Sequence, residues 1–95
     1  MSKVIDTAVE ALSARLPGGF DGVAKFVIPG EGTIMVDGAG VREGDGAADV
    51  TLTASTEVFE QLLDGDLSAA SAFMTGKLTV DGSMGLAMKL GAVLG

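Results

Sequence analysis

The closing segment of the chain, residues 84–94, constrains the fold more than any other stretch because it is apolar on almost every side. Lys89 is its only charged residue, and the others are Met, Leu, Val, Ala and Gly. Helical spacing sorts its apolar residues into two neighbouring arcs, Leu86, Leu90, Val93 and Leu94 on one and Met84, Ala87, Met88 and Gly91 on the other. A sheet beneath the helix can cover one arc. The second arc requires another cover: a protein neighbour, a partner chain or an apolar ligand.

Three further segments show the spacing of amphipathic helices. They cover residues 2–17, 55–65 and 68–76. Their expected N-caps are Ser2, Ser55 or Thr56, and Ser68, because a serine or threonine hydroxyl can accept a free N–H of the first turn. Pro17 stops the first of these helices, and Gly65 stops the second.

Short β-rich runs occupy residues 22–28, 32–37, 41–43, 49–54 and 77–81. Asp37-Gly38 is a hairpin signal between the second and third runs. Four strands in close succession, joined by tight turns, favour an antiparallel sheet. Taken with the helices, the order predicts an α+β fold with five strands in a mostly antiparallel sheet. No linker or repeat interrupts the chain, so residues 1–95 are expected to form one domain.

Charge and hydropathy narrow the classes of partner. The chain has 13 acidic and 6 basic residues, a net charge of −7, and its cations are scattered from Lys3 to Lys89. Nucleic acid requires clustered cations, so no nucleic-acid partner is expected. Asp6 and Glu10 interrupt the apolar pattern near the start, which is therefore not typical of a signal peptide. The closing run is shorter than the ~20 residues that span a bilayer, so no stable membrane insertion is expected. We expect a soluble, cytoplasmic protein.

The residues that most catalytic and metal sites use are missing. The sequence contains no His, Cys, Tyr, Trp or Asn, which excludes hydrolases with a histidine base and zinc sites with His or Cys ligands. Most of its carboxylates lie beside glycines in predicted turns, where they are solvated and unsuited to acid–base catalysis. Glu43, Asp45 and Asp49 supply too few oxygens at fixed spacing for a hard cation. No enzyme activity, cofactor or metal is therefore expected.

Methionine is the residue type that leaves two interpretations open. Met35, Met74, Met84 and Met88 can fill an ordinary aliphatic core, or they can line one adaptable space. The thioether side chain is flexible and polarizable, and it suits either role.

Three stretches resemble the sterol carrier protein type 2 family of lipid-transfer domains. Residues 49–53 (DVTLT) lead into a serine-capped helix that contains Phe59. Residues 63–66 (LDGD) precede a Ser/Ala helix that ends at Ala72-Phe73. Residues 76–82 (GKLTVDG) lead into the helical stretch 84–90 (MGLAMKL), and this last match is the most specific. The first half of the chain matches more loosely, through residues 22–26 and the following hairpin.

The resemblance implies a five-stranded sheet with helices packed on one face and an apolar tunnel between the two layers. Members of the family bind sterols, fatty acids or fatty acyl-CoA and carry no catalytic group. Candidate ligand-binding residues for such a wall are Phe26, Ile34, Met35, Val36, Phe59, Leu63, Phe73, Met74, Leu78, Val80, Met84, Met88 and Leu90. Lys89, Lys77 and Arg15 are candidates to meet a carboxylate or phosphate at its mouth.

Two departures from the family and one alternative function complete the sequence-based expectations. The chain lacks the Ser-Lys-Leu tail of eukaryotic members and an aromatic residue in the second strand, where Thr33-Ile34-Met35 stands. These departures indicate a stand-alone prokaryotic version and count against sterol itself as the ligand. The expected function is binding and transfer of apolar lipids, namely fatty acid, fatty acyl-CoA or sterol-like lipid. The alternative is a module for protein interaction, with the second apolar arc buried in a homodimer and no lipid cargo.

Overall fold

A computed structural model describes residues 2–94 of the protein. The elements in chain order are α1 (Lys3–Arg15), β1 (Ala24–Ile28), β2 (Gly32–Asp37), β3 (Gly40–Glu43), β4 (Val50–Ala54), α2 (Thr56–Asp64), α3 (Ala69–Met74), β5 (Leu78–Gly82) and α4 (Met84–Leu94). The α+β order, the five strands and the closing helix are confirmed. The predicted bounds of β2 and α4 agree with these, and those of the other elements differ by one or two residues.

The five strands form one sheet in the order β3-β2-β1-β4-β5. Three of the four neighbouring pairs are antiparallel, and the pair of β1 and β4 is parallel. After the hairpin at Asp37-Gly38, the chain crosses the sheet and adds β4 on the far side of β1. The antiparallel meander expected from the sequence therefore ends at β3, and the sheet is mixed but mostly antiparallel.

Serine hydroxyls start all four described helices. The Oγ atoms of Ser2, Ser55 and Ser68 accept the N–H groups of Ile5, Val58 and Ser71 at 3.3, 3.3 and 3.1 Å. Ser83 does the same for Leu86 at 3.3 Å. Each bond satisfies one donor that the first helical turn leaves free. The first three caps agree with the sequence-based prediction. The start of α4 at Met84 was also predicted, but Ser83 was not named as its cap.

The helices cover one face of the sheet. Alternate residues of the central strands are buried on that face, among them Ala24, Phe26 and Ile28 of β1. They belong to one hydrophobic cluster with the inward side chains of the helices. At its centre the rings of Phe26 and Phe59 meet edge to face, with centroids 5.2 Å apart. Within residues 2–94 no helix has the length and apolar character that crossing a bilayer requires.

Candidate functional site

An apolar groove of about 510 Å³ opens at the β5 end of the layered structure. Its floor is the sheet, through Leu52 of β4 and Leu78 and Val80 of β5. One wall is α3 with the turn before it, contributing Gly65, Leu67, Ser68, Ala69, Ala70, Phe73 and Met74. The other wall is α4, contributing Met84, Ala87, Met88, Gly91 and Ala92.

Two sides of α4 have different surroundings, and this difference explains why the groove stays open. Its sheet-facing side buries Leu90 and Leu94 completely or almost so, and Leu86 packs against the same core. The neighbouring side, with Met84 and Met88, rises above the sheet toward α3. α3 has only six residues and contacts α4 and β5 along a short length, so it is too short to cover that side. The second apolar arc therefore borders the groove.

The groove presents large apolar side chains to water. The exposed fractions are 43% for Phe73, 84% for Met74, 46% for Met84 and 73% for Met88. A side chain of this kind is usually buried, and burial of each square ångström of apolar surface is worth about 25 cal/mol. The tunnel expected between helices and sheet is thus a groove open to solvent in this structure.

Charged groups are absent from the described part of the lining, whose one hydroxyl is that of Ser68. The oxygen of this hydroxyl already accepts the N–H of Ser71 as the cap of α3. Among residues 2–94, no group of three or more carboxylates is arranged to hold a metal ion. The chemistry of the groove is therefore that of an apolar binding surface.

Six of the thirteen candidate wall residues lie together at the groove: Phe73, Met74, Leu78, Val80, Met84 and Met88. They come from α3, β5 and α4, and the last two of these elements carry the most specific part of the resemblance. Strand alternation directs Leu78 and Val80 to the helical side, and helical spacing directs Met84 and Met88 to the open side. Their role in ligand binding remains a proposal.

The other seven candidates lie elsewhere. Phe26, Ile34, Val36, Phe59 and Leu90 are in the packed core, where they contact protein instead of the groove. Met35 is buried on the opposite face of the sheet, because it alternates with Ile34 and Val36 along β2. Leu63 lines a smaller cavity of about 220 Å³ between α1 and α2, with Lys3, Val4, Thr7, Ala8, Thr56, Phe59 and Glu60.

Nine groove residues were not among the candidates: Leu52, Gly65, Leu67, Ser68, Ala69, Ala70, Ala87, Gly91 and Ala92. Most are small, and a small residue carries no sequence signal of its own for a binding wall. Ala87 and Gly91 did have such a signal, since they share the second apolar arc of the closing helix. Leu52 is buried, and its sequence pattern is that of an ordinary core residue. Only the positions of α3 and α4 show that it also lines the groove.

The three candidate cations do not line the groove. Arg15 donates hydrogen bonds to the carbonyl oxygens of Ala11 and Leu63, at the ends of α1 and α2. The Nζ atom of Lys89 lies 3.8 Å from the Oδ2 atom of Asp21, on the outward side of α4. Lys77 is exposed and precedes β5. None of them is positioned at an anion site on the groove.

Comparisons with known proteins converge on one family. The sequence profile of the SCP-2 sterol transfer family matches residues 7–95. The peroxisomal multifunctional enzyme A of Dictyostelium discoideum is 48% identical over 65 residues, which are 68% of this chain and 14% of that enzyme. The chain therefore spans about one seventh of this relative. The prokaryotic origin expected from the sequence remains a prediction.

Solved structures agree with the profile. The crystal structure of Sterol Carrier Protein 2 Like 2 from Aedes aegypti superposes with a TM-score of 0.79, at 28% identity, over 95% of each chain. The solution structure of Sterol Carrier Protein-2 from the same mosquito, in complex with palmitate, gives a TM-score of 0.78 at 25% identity. It covers 99% of this chain and 96% of that one.

Proposed function

The chain belongs to the SCP-2 sterol transfer family, and from this premise we propose that it binds apolar lipids in the groove between α3, α4 and β5. We further propose that it transfers them within the cell without chemical change. The cargo classes are fatty acids, fatty acyl-CoA and sterol-like lipids. The compartment that we propose is the cytoplasm, although one relative is named as a peroxisomal enzyme.

The observation that carries this proposal is the exposure of the groove's apolar wall. Met74 and Met88 expose 84% and 73% of their surface, and both lie on the same groove. A lipid chain laid between them removes its own apolar surface and theirs from water, and each square ångström removed contributes about 25 cal/mol. Flexible thioethers can adapt to chains of different shape. The palmitate complex of the mosquito protein supports the same use of the fold.

The composition of the groove supports a role without catalysis. General acid–base catalysis needs a titratable group within hydrogen-bond reach of the substrate. The only polar side-chain group in the described lining is the hydroxyl of Ser68. Activity of the long Dictyostelium relative belongs to that whole enzyme, of which this chain matches 14%.

A displacement assay with a fluorescent fatty acid tests binding, after the purified protein has been stripped of lipid. We expect saturable binding, one lipid per chain in native mass spectrometry, and transfer of the label from donor to acceptor vesicles that rises with protein concentration. Absence of saturable binding with every cargo class would contradict the proposal.

The same exposed side chains also favour a second candidate, a dimerisation module without lipid cargo. A second chain seated on Phe73, Met74, Met84 and Met88 would cover them as well as a lipid does. Mass in solution after removal of lipid separates the two. A lipid-free dimer favours the module, and a monomer that takes up lipid favours the carrier.

A further inference from the structure

No cationic side chain lines the described groove, and the positions of the cations of the chain show where they lie instead. Lys25 and Arg42 are ion-paired to Asp45 and Asp37, at 2.9 and 2.8 Å. Lys25 lies on β1 with its side chain away from the helical face, since Ala24 and Phe26 face the core. These two cations are therefore separated from the groove by the sheet.

The remaining cations near the groove do not line it. Lys89 follows the lining residue Met88, but one residue further along a helix is a rotation of about 100°, which carries it to the side that Asp21 occupies. The guanidinium of Arg15 is held by backbone carbonyls at the ends of α1 and α2. Lys77 is exposed at the bend before β5 and is not among the residues that line the groove.

Two exposed aspartates flank one end of the groove. Asp64 and Asp66 stand on either side of Gly65, which lines the groove at its α2–α3 end, and both aspartates are exposed. The whole chain carries a net charge of −7. A carboxylate or phosphate that follows its acyl chain into this groove gains no ion pair, loses part of its hydration and enters a repulsive field.

We propose that the groove selects lipids by head-group charge, in the order uncharged, monoanionic, polyanionic. This inference rests on the proposed lipid binding and narrows it. A long-chain alcohol or other neutral lipid is the preferred cargo, a fatty acid binds more weakly, and an acyl-CoA, with its phosphates, binds weakest of the three.

The test compares ligands that share one sixteen-carbon chain. The alcohol 1-hexadecanol, hexadecanoate and hexadecanoyl-CoA compete with an uncharged pyrene-labelled alkane at neutral pH and low salt, each below the concentration at which it forms micelles. We expect the alcohol to bind at least about fivefold more tightly than the carboxylate, which corresponds to one close charge interaction in water. The CoA thioester should bind more weakly again.

Two matched variants separate a local cause from the net charge. Ala70→Lys places a cation at an exposed position of the groove wall, and Gln61→Lys adds the same charge on the exposed surface of α2 outside it. Ala70→Lys should reduce the ratio of the affinity for the alcohol to the affinity for the carboxylate by about two- to fivefold, the range of an exposed ion pair. Gln61→Lys should leave the ratio close to that of the native protein.

The outcomes are distinct. Equal or tighter binding of hexadecanoate by the native protein overturns the charge order and leaves lipid binding intact. An equal narrowing by both variants overturns the local cause, because net charge would then explain the selectivity. Failure of all three ligands to displace the probe would instead contradict the proposed function itself.

Discussion

Gly91 of α4 and Ala69 of α3 approach so closely that a β-carbon added at Gly91 would lie 3.0 Å from the Cβ atom of Ala69. Carbon atoms normally rest about 3.5–4.0 Å apart. The missing side chain therefore sets the separation of the two helices. Both residues line the groove, so this contact also sets the width of the groove at that point.

Gly91→Ala should move α3 away from α4 and change lipid affinity. The matched control is Gly85→Ala on the same helix, where an added β-carbon meets only the Oγ atom of Ser83 at 3.8 Å. The control should raise stability by up to about 1 kcal/mol through helix propensity and leave affinity unchanged. Gly91→Ala should show a smaller gain or a loss, measured by urea unfolding. Identical effects of both substitutions on stability and affinity would contradict the inference that Gly91 sets the width of the groove.

Gly82 joins β5 to the closing helix in a conformation that only glycine tolerates well. Its φ is +110°, and an added β-carbon would collide with the carbonyl oxygen of Asp49 and lie 3.0 Å from the Cα atom of Val50. Gly82→Ala should therefore destabilise the protein by more than the ~1–2 kcal/mol of left-handed backbone strain alone.

Gly76→Ala is the control for that strain. Gly76 also has a positive φ, +77°, but its β-carbon would meet nothing within 4 Å. This variant should lose only the ~1–2 kcal/mol of strain. If chemical denaturation gives the two variants equal stability, the collision at β4 has been relieved by movement of the chain and the prediction is wrong.

Asp37 and Arg42 make stability depend on pH at the β2–β3 hairpin. The guanidinium of Arg42 donates to both carboxylate oxygens of Asp37, at 3.0 and 2.8 Å, and the N–H of Ala39 donates to one of them at 2.9 Å. Chiefly through Arg42, and then Ala39, these bonds hold the pKa of Asp37 below its ordinary value of 3.8. The folded state thus binds this proton less readily than the unfolded state does.

The stabilisation by the Asp37–Arg42 pair is accordingly present above the pKa of Asp37 in the unfolded state. It is lost as pH falls through the lower pKa of Asp37 in the folded state. The urea midpoint of the native protein should fall on acidification below about pH 4, and that of Asp37→Asn should fall less. Asp66→Asn, an exposed loop substitution with the same change in charge, should follow the native protein. A parallel decline in all three proteins would show that the Asp37–Arg42 pair contributes nothing to the acid response.

The sequence predicted the parts of the fold that depend on local spacing. Strand alternation placed Leu78 and Val80, and serine caps placed the starts of α1, α2 and α3, because these features are decided within a few residues. The parallel pairing of β1 and β4 was not predicted. It depends on which edge of the hairpin sheet receives β4, and that choice is made by packing between segments distant in sequence.

Of the candidate wall residues on α4, Met84 and Met88 lie on the groove, whereas most of those in the sheet lie away from it. A buried phenylalanine such as Phe26 and an exposed methionine such as Met74 have the same sequence signal, an apolar residue at a regular spacing. Only the length of α3 decides which apolar face remains uncovered. A small residue such as Ala69 shapes the groove by the side chain that it lacks, and a sequence pattern carries no signal for this. Gly91 had a signal only as a member of the second apolar arc.

Met88 and Leu90 stand two residues apart on α4 and separate groove from core. Met88 is 73% exposed on the groove wall, whereas Leu90 is fully buried. Met88→Ala should cost less than about 1 kcal/mol of stability, because little packing is lost, yet it should weaken lipid binding because it removes apolar contact with the cargo.

Leu90→Ala serves as the matched control, since it leaves a cavity in the core and should cost about 2–5 kcal/mol. In variants that remain folded at the assay temperature, lipid affinity should fall for Met88→Ala and stay closer to native for Leu90→Ala.

Met88→Asp is a stronger change at the same position as Met88→Ala. The exposed position lets the protein fold, but a carboxylate in the groove should abolish binding of a fluorescent fatty acid, because apolar contact is replaced by a charge that must keep its hydration. Unfolding midpoint and affinity are measured on the same preparations. If Met88→Ala costs as much stability as Leu90→Ala and leaves affinity unchanged, the Met face of α4 is ordinary core in solution, and the carrier function loses its main structural support.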